Sequence, residues 1–332
     1  MATKKITESI VFEPRHSYAH TPDSSKTYDS IIIGAGMAGY AAAMYASRLG
    51  LKVLIIGEVP GGTLALTGAV ENYPGFVSIE GEKLTSLLEN HAMDYDADML
   101  IDIVDDIKKE DDLFKVISGN KAFKSRTIIL ATGAKVKKLG IPGEEEYFGK
   151  GVGYCALCDA AFIKGKTVAV AGGGNGAVKE AILVSEHAKK VFVINNEKEL
   201  HPEDHNKKAL DDRIRKEFIE VINDNEIISI EGGEKVEKLV LKEEYKGKKE
   251  LQAQGLFIYV GHIPNSGLAS QLGVMLNEKG EIITNQRGET SIPGFFAAGD
   301  VTNTEWKQAI IGVAQGVTAA YYVYNYLNDK KM

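Results

Sequence analysis

The chain has 332 residues, 44% of them hydrophobic, with 39 basic against 46 acidic side chains and a net charge of -7. Its apolar content suffices for a large core and its length for two domains of ordinary size, which excludes a disordered chain. No basic stripe offers a grip on nucleic acid, and the apolar stretch "AAAMYASRLGLKVLII" is broken by Arg48 and Lys52, so neither nucleic acid nor membrane is expected as a partner.

Residues 1–27 carry Lys4, Lys5, Glu8, Glu13 and Asp23 without an apolar segment. They predict a flexible arm, not a secretory leader, and with it a cytoplasmic location. "YDSIIIGAGMAGYAAAMYASRLGLKVLIIG" then reads as strand, glycine turn, helix and strand. Gly34, Gly36 and Gly39 form G-x-G-x-x-G in the context that binds a dinucleotide: one glycine for the tight turn, one for close approach of a pyrophosphate, one for helix packing. The helix N-terminus faces the anion. "SRTIILATGAKVKKLGIPG" is an apolar strand ending in Ala131-Thr132-Gly133, followed by a polar linker with Pro142, and predicts an exit from the first domain.

"GYCALCDAAF" contains both cysteines of the chain, Cys155 and Cys158. Two cysteines build no disulfide framework, and His187 and His201 do not complete a four-ligand zinc set, so no metal is expected. Cys-x-x-Cys in a reducing cytosol reads as a redox dithiol, with two unrelated buried thiols as the plain alternative. Next, "KTVAVAGGGNGAVKEAILVSEHAKKVFVINN" repeats the first pattern. Gly172, Gly174 and Ala177 lie between a strand ending near Ala171 and a helix starting near Gly176. Further on, "TSIPGFFAAGDVTN" runs an apolar strand into Gly299 and Asp300, whose carboxylate either accepts hydrogen bonds from sugar or ribityl hydroxyls or simply shapes a turn. "EWKQAIIGVAQGVTAAYYVYNYL" begins an amphipathic helix whose N-terminus favours negative charge. Trp306 there shields a flavin edge or packs the core. Two dinucleotide modules and a dithiol suggest electron relay from a nicotinamide through a flavin to sulfur.

The ordered set "GAGMAG", "GGTL", "ENYPGF", "ATG", "CALCD", "GGGN", "GHIPN" and "AAGD" resembles the low-molecular-weight thioredoxin reductases from Tyr28 onward. The resemblance implies an α/β fold of two Rossmann-like domains, the second inserted into the first. Residues 28–136 and 266–332 would form a discontinuous FAD domain, and 137–265 an inserted nicotinamide domain carrying the dithiol. It further implies a homodimer that reduces the disulfide of a thioredoxin- or glutaredoxin-like protein. In it Cys158 is the flavin-side thiol, Cys155 attacks the partner and Asp159 is the acid and base. By the same resemblance Gly34, Gly36, Gly39, Gly61, Gly62, Asn72, Thr132, Gly133, Gly299, Asp300, Lys307, Gln308 and Ala309 would hold FAD. Gly172, Gly174, Asn175 and Ala177 would hold the nicotinamide dinucleotide.

The chain departs from that pattern after its second module. Members carry a His-Arg-Arg run and a later Arg that grip the 2′-phosphate of NADPH, whereas "INNEKELHPED" places Asn195, Asn196 and Glu197 at the run and His201 at the later position. A carboxylate repels a phosphate and accepts hydrogen bonds from ribose hydroxyls. NADH is therefore favoured over NADPH, with neither as the alternative. In that case a deazaflavin or ferredoxin would be the donor, or the protein would be a dithiol oxidase. Two further readings stay open: a ferredoxin- or flavodoxin-linked NAD(P) reductase, which has no need of the cysteines, and a non-catalytic redox-sensing protein.

Overall fold

Val53–Ile56 and Val168–Ala171 are apolar at every position, a pattern strands show when both faces are covered. In the computed structural model, which describes residues 22–65, 69–70, 72–154 and 163–329, both lie inside parallel sheets. The first 21 residues, Cys155, Cys158 and Asp159 lie outside the described residues. In chain order the elements begin with β1 (Thr27–Ile33), α1 (Met37–Arg48), β2 (Val53–Ile56), α2 (Gly62–Ala65), β3 (Ala69–Val70), β4 (Ile79–Glu80) and α3 (Gly81–Met93). There follow β5 (Asp98–Leu100), β6 (Asp106–Glu110), β7 (Leu113–Ser118), β8 (Lys121–Leu130), β9 (Ala134–Val136) and β10 (Val152–Gly153). Then come β11 (Thr167–Ala171), α4 (Asn175–Val184), β12 (Lys190–Ile194), α5 (Asp204–Arg215), β13 (Ile219–Ile222), β14 (Ile227–Gly232), β15 (Val236–Tyr245) and β16 (Lys248–Gln252). The chain closes with β17 (Leu256–Ile258), β18 (His262–Pro264), α6 (Gly267–Gln271), β19 (Phe295–Ala297) and α7 (Ala309–Asp329).

These elements divide into two compact units, residues 1–134 with 264–332, and residues 135–263. The first unit is built on a sheet ordered β5-β2-β1-β8-β7-β6. Strand β8 is long enough to carry two neighbours along one edge. Its first half pairs antiparallel with β7 (Phe114 opposite Ser125), and its last residues pair parallel with β19 (Ala297 opposite Leu130). The second unit has a parallel sheet, β10-β17-β11-β12-β13, and an antiparallel one, β14-β15-β16. The strands through which the chain leaves and returns, β9 and β18, pair as a two-stranded ribbon.

Alternation along β1 distributes the first unit's core. Ile32 packs with Tyr40, Ala42, Ala43 and Val323 on one face, and Ile31 and Ile33 pack with Phe114, Phe123 and Phe295 on the other. The α7 residues Gly312, Gly316, Ala319, Ala320, Val323 and Leu327 recur at helical spacing and are buried. A Cβ on Gly316 would sit 2.2 Å from the Ala38 carbonyl oxygen, so the small residue lets α7 lie directly on α1. The helix expected from Glu305 starts at Ala309, and Trp306 ahead of it is 68% exposed, which overturns its reading as a core residue. At the other end of the chain Asp23 to Lys26 form a turn tied to Tyr28, whose hydroxyl accepts from the Asp23 amide at 3.0 Å and donates to Asp98 at 2.6 Å. Among the described residues no helix is long and apolar enough to cross a membrane.

A Cβ on Gly39 would fall 1.9 Å from the Gly34 carbonyl oxygen, whereas the Cβ position of Gly176 has open space. Gly39→Ala should therefore destabilise the protein by about 3 kcal/mol or more, and Gly176→Ala should not, as read from urea unfolding midpoints.

Candidate active site

In the first unit the parallel register brings three strand ends together: Ile33 beside Leu130, and Leu130 beside Ala297. Gly34, Ala131 to Gly133 and Ala298 to Asp300 thus share one edge of the sheet, where α/β folds bind their ligands. Gly34 has φ +114°, and a Cβ there would lie 2.2 Å from the Ala131 oxygen, so a side chain is excluded on both counts. Gly36 begins α1 without a side-chain cap, which leaves the helix's first amides to an external acceptor. Gly61 and Gly62 come back against this turn. The Gly61 amide donates to the Ala35 carbonyl at 2.8 Å and to the Tyr40 hydroxyl at 3.3 Å, and a Cβ on Gly62 would be 3.2 Å from the Gly36 Cα. Two strips of bare backbone so form a cradle that suits an anionic dinucleotide such as FAD.

The return segment completes the crevice. The Asn72 amide donates to the Gln308 side-chain oxygen at 2.7 Å across 236 residues of sequence, and Ala309 opens α7 beside them. Gly299 packs against Ala38, and its amide donates to Gln315 at 2.8 Å. Thr132 and Lys307 reach the crevice but are occupied by the protein itself. The Thr132 hydroxyl donates to the Asn265 carbonyl at 2.8 Å, and the Asn265 side chain donates back to the Thr132 carbonyl at 2.9 Å. The Lys307 ammonium donates to the carbonyls of Asp300 (2.8 Å) and Thr302 (2.9 Å) and pairs with Glu281 at 2.8 Å. Burial pushes the Glu281 carboxyl upward, but hydrogen bonds from Lys307 and Asn277 outweigh it and the net shift is downward. Lys307 thus fastens the turn that carries Asp300.

In the second unit the same turn chemistry recurs at Gly172, which has φ +134° and whose Cβ would meet the Tyr259 oxygen at 2.2 Å. Gly174 begins α4 without a side-chain cap and has open space at its Cβ position, and Ala177 is buried against the sheet. A cavity of about 950 Å³ opens here, lined among others by Gly172 to Gly174, Asn196, Glu197 and His201. No arginine lines it among the described residues. Asn175 does not point its oxygen at this space: it accepts from the Glu203 amide (3.0 Å) and from Asn206 (2.7 Å), which ties α4 to the start of α5.

Asn195 is 1% exposed and organises the loop beyond β12. Its amide nitrogen donates to the carbonyls of Glu197 (3.0 Å) and Glu199 (2.8 Å), and its oxygen accepts from the Glu197 amide (3.2 Å). The His201 amide donates to the Gly173 carbonyl at 2.7 Å, drawing the loop onto the glycine turn. Glu197 and His201 meet at 2.7 Å with both side chains more than half exposed. Glycine patterns marked the turns in advance. Asn195, Asn206, Asn265, Glu281 and Gln315 went unremarked as organisers, because a lone amide or carboxylate carries no spacing signal.

The pattern of the family described as "Pyridine nucleotide-disulphide oxidoreductase" matches residues 28–316. A thioredoxin reductase of Bacillus subtilis (strain 168) is 39% identical over 306 residues, 92% of this chain and 96% of that protein. Among solved structures, thioredoxin reductase of Lactococcus lactis superposes with TM-score 0.79 at 36% identity, covering 91% of this chain and 100% of that one. Thioredoxin reductase of T. acidophilum superposes with TM-score 0.77 at 37% identity, covering 92% and 99%.

Lys307→Met leaves the mostly buried Glu281 carboxylate without its cation and should destabilise the protein by about 1–3 kcal/mol, much of which Lys307→Met with Glu281→Gln restores. Because the folded carboxyl titrates below its ordinary range, this difference is present at neutral pH and fades on acidification below that range. A double-mutant cycle in urea at pH 7 and pH 3 measures both effects.

Proposed function

The chain belongs to the pyridine nucleotide-disulphide oxidoreductase family, as a FAD-dependent disulfide reductase of the thioredoxin reductase type, and on that premise we propose that it carries electrons from NADH to a thioredoxin- or glutaredoxin-like protein. When bound, FAD supplies the two-electron carrier between a hydride donor and a disulfide. In this reading the crevice of the first unit is its seat. Gly34, Gly36, Gly39, Gly61, Gly62, Gly133, Gly299 and Ala309 offer backbone, and Asn72, Asp300 and Gln308 offer side chains. Thr132 and Lys307 act by shaping the backbone around them. The cavity of the second unit takes the dinucleotide against Gly172, Gly174 and Ala177, with Asn175 holding the loop in place.

Cys155 and Cys158 then cycle between disulfide and dithiol. The Cys155 thiolate attacks the partner's disulfide to form a mixed disulfide, and Cys158 displaces the partner's second sulfur as it closes the protein's own S–S bond. Asp159 takes up and returns the proton of the neighbouring thiol. The protein works as a homodimer.

The observation that carries the choice of NADH is the Glu197–His201 pair held on the glycine turn of a cavity that no arginine lines among the described residues. A carboxylate there accepts from ribose hydroxyls and repels a 2′-phosphate. The exposure of that carboxylate also supports a second reading, in which a ferredoxin or deazaflavin replaces the nicotinamide.

Anaerobic titration separates them. NADH should bleach the oxidised flavin at low excess, NADPH should require about tenfold more, and Glu197→Arg with His201→Arg should reverse that order. A lower requirement for NADPH in the unaltered protein refutes the NADH reading, and bleaching by dithionite alone favours the second. Cys155→Ser should abolish reduction of a thioredoxin-like protein while dye reduction persists. Unchanged reduction of the physiological acceptor refutes the role given to the dithiol.

A further inference from the structure

Glu144 is a carboxylate that is only 2% exposed. Burial of this kind is tolerated when donors converge on the group. Its Oε1 accepts from the Leu139 amide (3.2 Å) and the Tyr154 hydroxyl (2.8 Å), and its Oε2 accepts from the Gly140 amide (2.6 Å). The adjacent Glu145 pairs instead with Lys138 at 2.9 Å on the surface, where such a bond contributes little. Glu144 therefore joins the segment that follows β9 to the end of the segment that leads into the cysteines. Every residue involved lies within 135–263.

Tyr154 directly precedes Cys155 in the sequence. Its ring lies 5.6 Å from that of Phe148 and, like Leu139 and Ile141, packs against the buried core of this unit. Burial and the Glu144 carboxylate hold its phenol protonated well above the usual range, so at any working pH the hydroxyl is a donor. The side chain is thus held at both ends, by apolar packing along the ring and by a charge-assisted hydrogen bond at the tip.

We infer that the Glu144–Tyr154 hydrogen bond is a positioning latch that fixes the backbone immediately ahead of Cys155 and so favours the disulfide over the dithiol. The inference rests on Cys155 and Cys158 being the redox pair of the proposed function. Closing a disulfide removes conformational freedom from the backbone that flanks each sulfur. Where Tyr154 is already held, less freedom remains to be lost, and each thiol presents a higher effective concentration to the other.

The test equilibrates the flavin-loaded protein anaerobically in glutathione buffers, followed by acid quenching, alkylation and mass measurement of Cys155 and Cys158. For each S–S bond formed in the protein, one breaks in glutathione disulfide, whose two sulfurs leave as thiols with the two protons the cysteines release. Tyr154→Phe keeps the ring and removes the donor. It should lower the equilibrium constant for disulfide formation about threefold to tenfold, the scale of one net hydrogen bond, with flavin content unchanged. Glu144→Gln keeps an oxygen for Tyr154 and should lower it less, which decides the matter even if Tyr154→Phe fails to fold. Constants equal to that of the unaltered protein in both variants overturn the latch alone. If the unaltered protein forms no disulfide in any buffer, the dithiol reading fails and the latch with it.

Discussion

A helix can offer its first amides to a solute only if the turn before it leaves the approach open. In both units that condition reduces to one close contact: the first glycine of the turn lies against the carbonyl of a neighbouring strand, Gly34 against Ala131 and Gly172 against Tyr259. At 2.2 Å from those oxygens no Cβ fits, and the positive φ of each glycine aims the chain from the strand into the helix. The position of α1, and through Gly316 and Ala38 that of α7, follows from this contact.

The second consequence is that each crevice beside a glycine turn needs a partner surface from elsewhere in the chain. In the first unit it arrives from residues 299–315, fastened by Gln315, by the Asn72–Gln308 bond and by the Lys307 ammonium on the carbonyls of Asp300 and Thr302. Two of the side chains that the family resemblance directs at the cofactor are turned inward to protein carbonyls. At the crevice they hold its backbone in place. A dinucleotide diphosphate is bound well by backbone amides, and backbone must be held still to do so.

In the second unit the partner surface is the loop beyond β12. Its amide and carbonyl groups are satisfied by one buried asparagine, Asn195, and by the contact of His201 with Gly173. An arginine run would occupy this loop with charges directed at a phosphate. Here the loop is held by neutral hydrogen bonds, and its exposed charges, Glu197 and His201, face each other.

The two glycine turns between strand and helix, the α/β class and the family were legible in the amino-acid sequence alone, because glycine at fixed spacing between a strand and a helix has few structural meanings. The same reasoning anticipated the end of β11 and the helix after it to within a residue. It placed the start of the last helix four residues early, since hydrophobic periodicity marks a face and not a first turn, and of its two readings of Trp306, a shield for a flavin edge or a core residue, the exposed ring removes the second. Only the tertiary structure decided which polar side chains face the crevice and which hold it together. Thr132, Asn175, Lys307 and Glu144 have the composition of binding residues, but their hydrogen-bond partners lie in distant or turned-back segments. A spacing rule describes what one segment does with itself, and those partners exist only after the chain has folded.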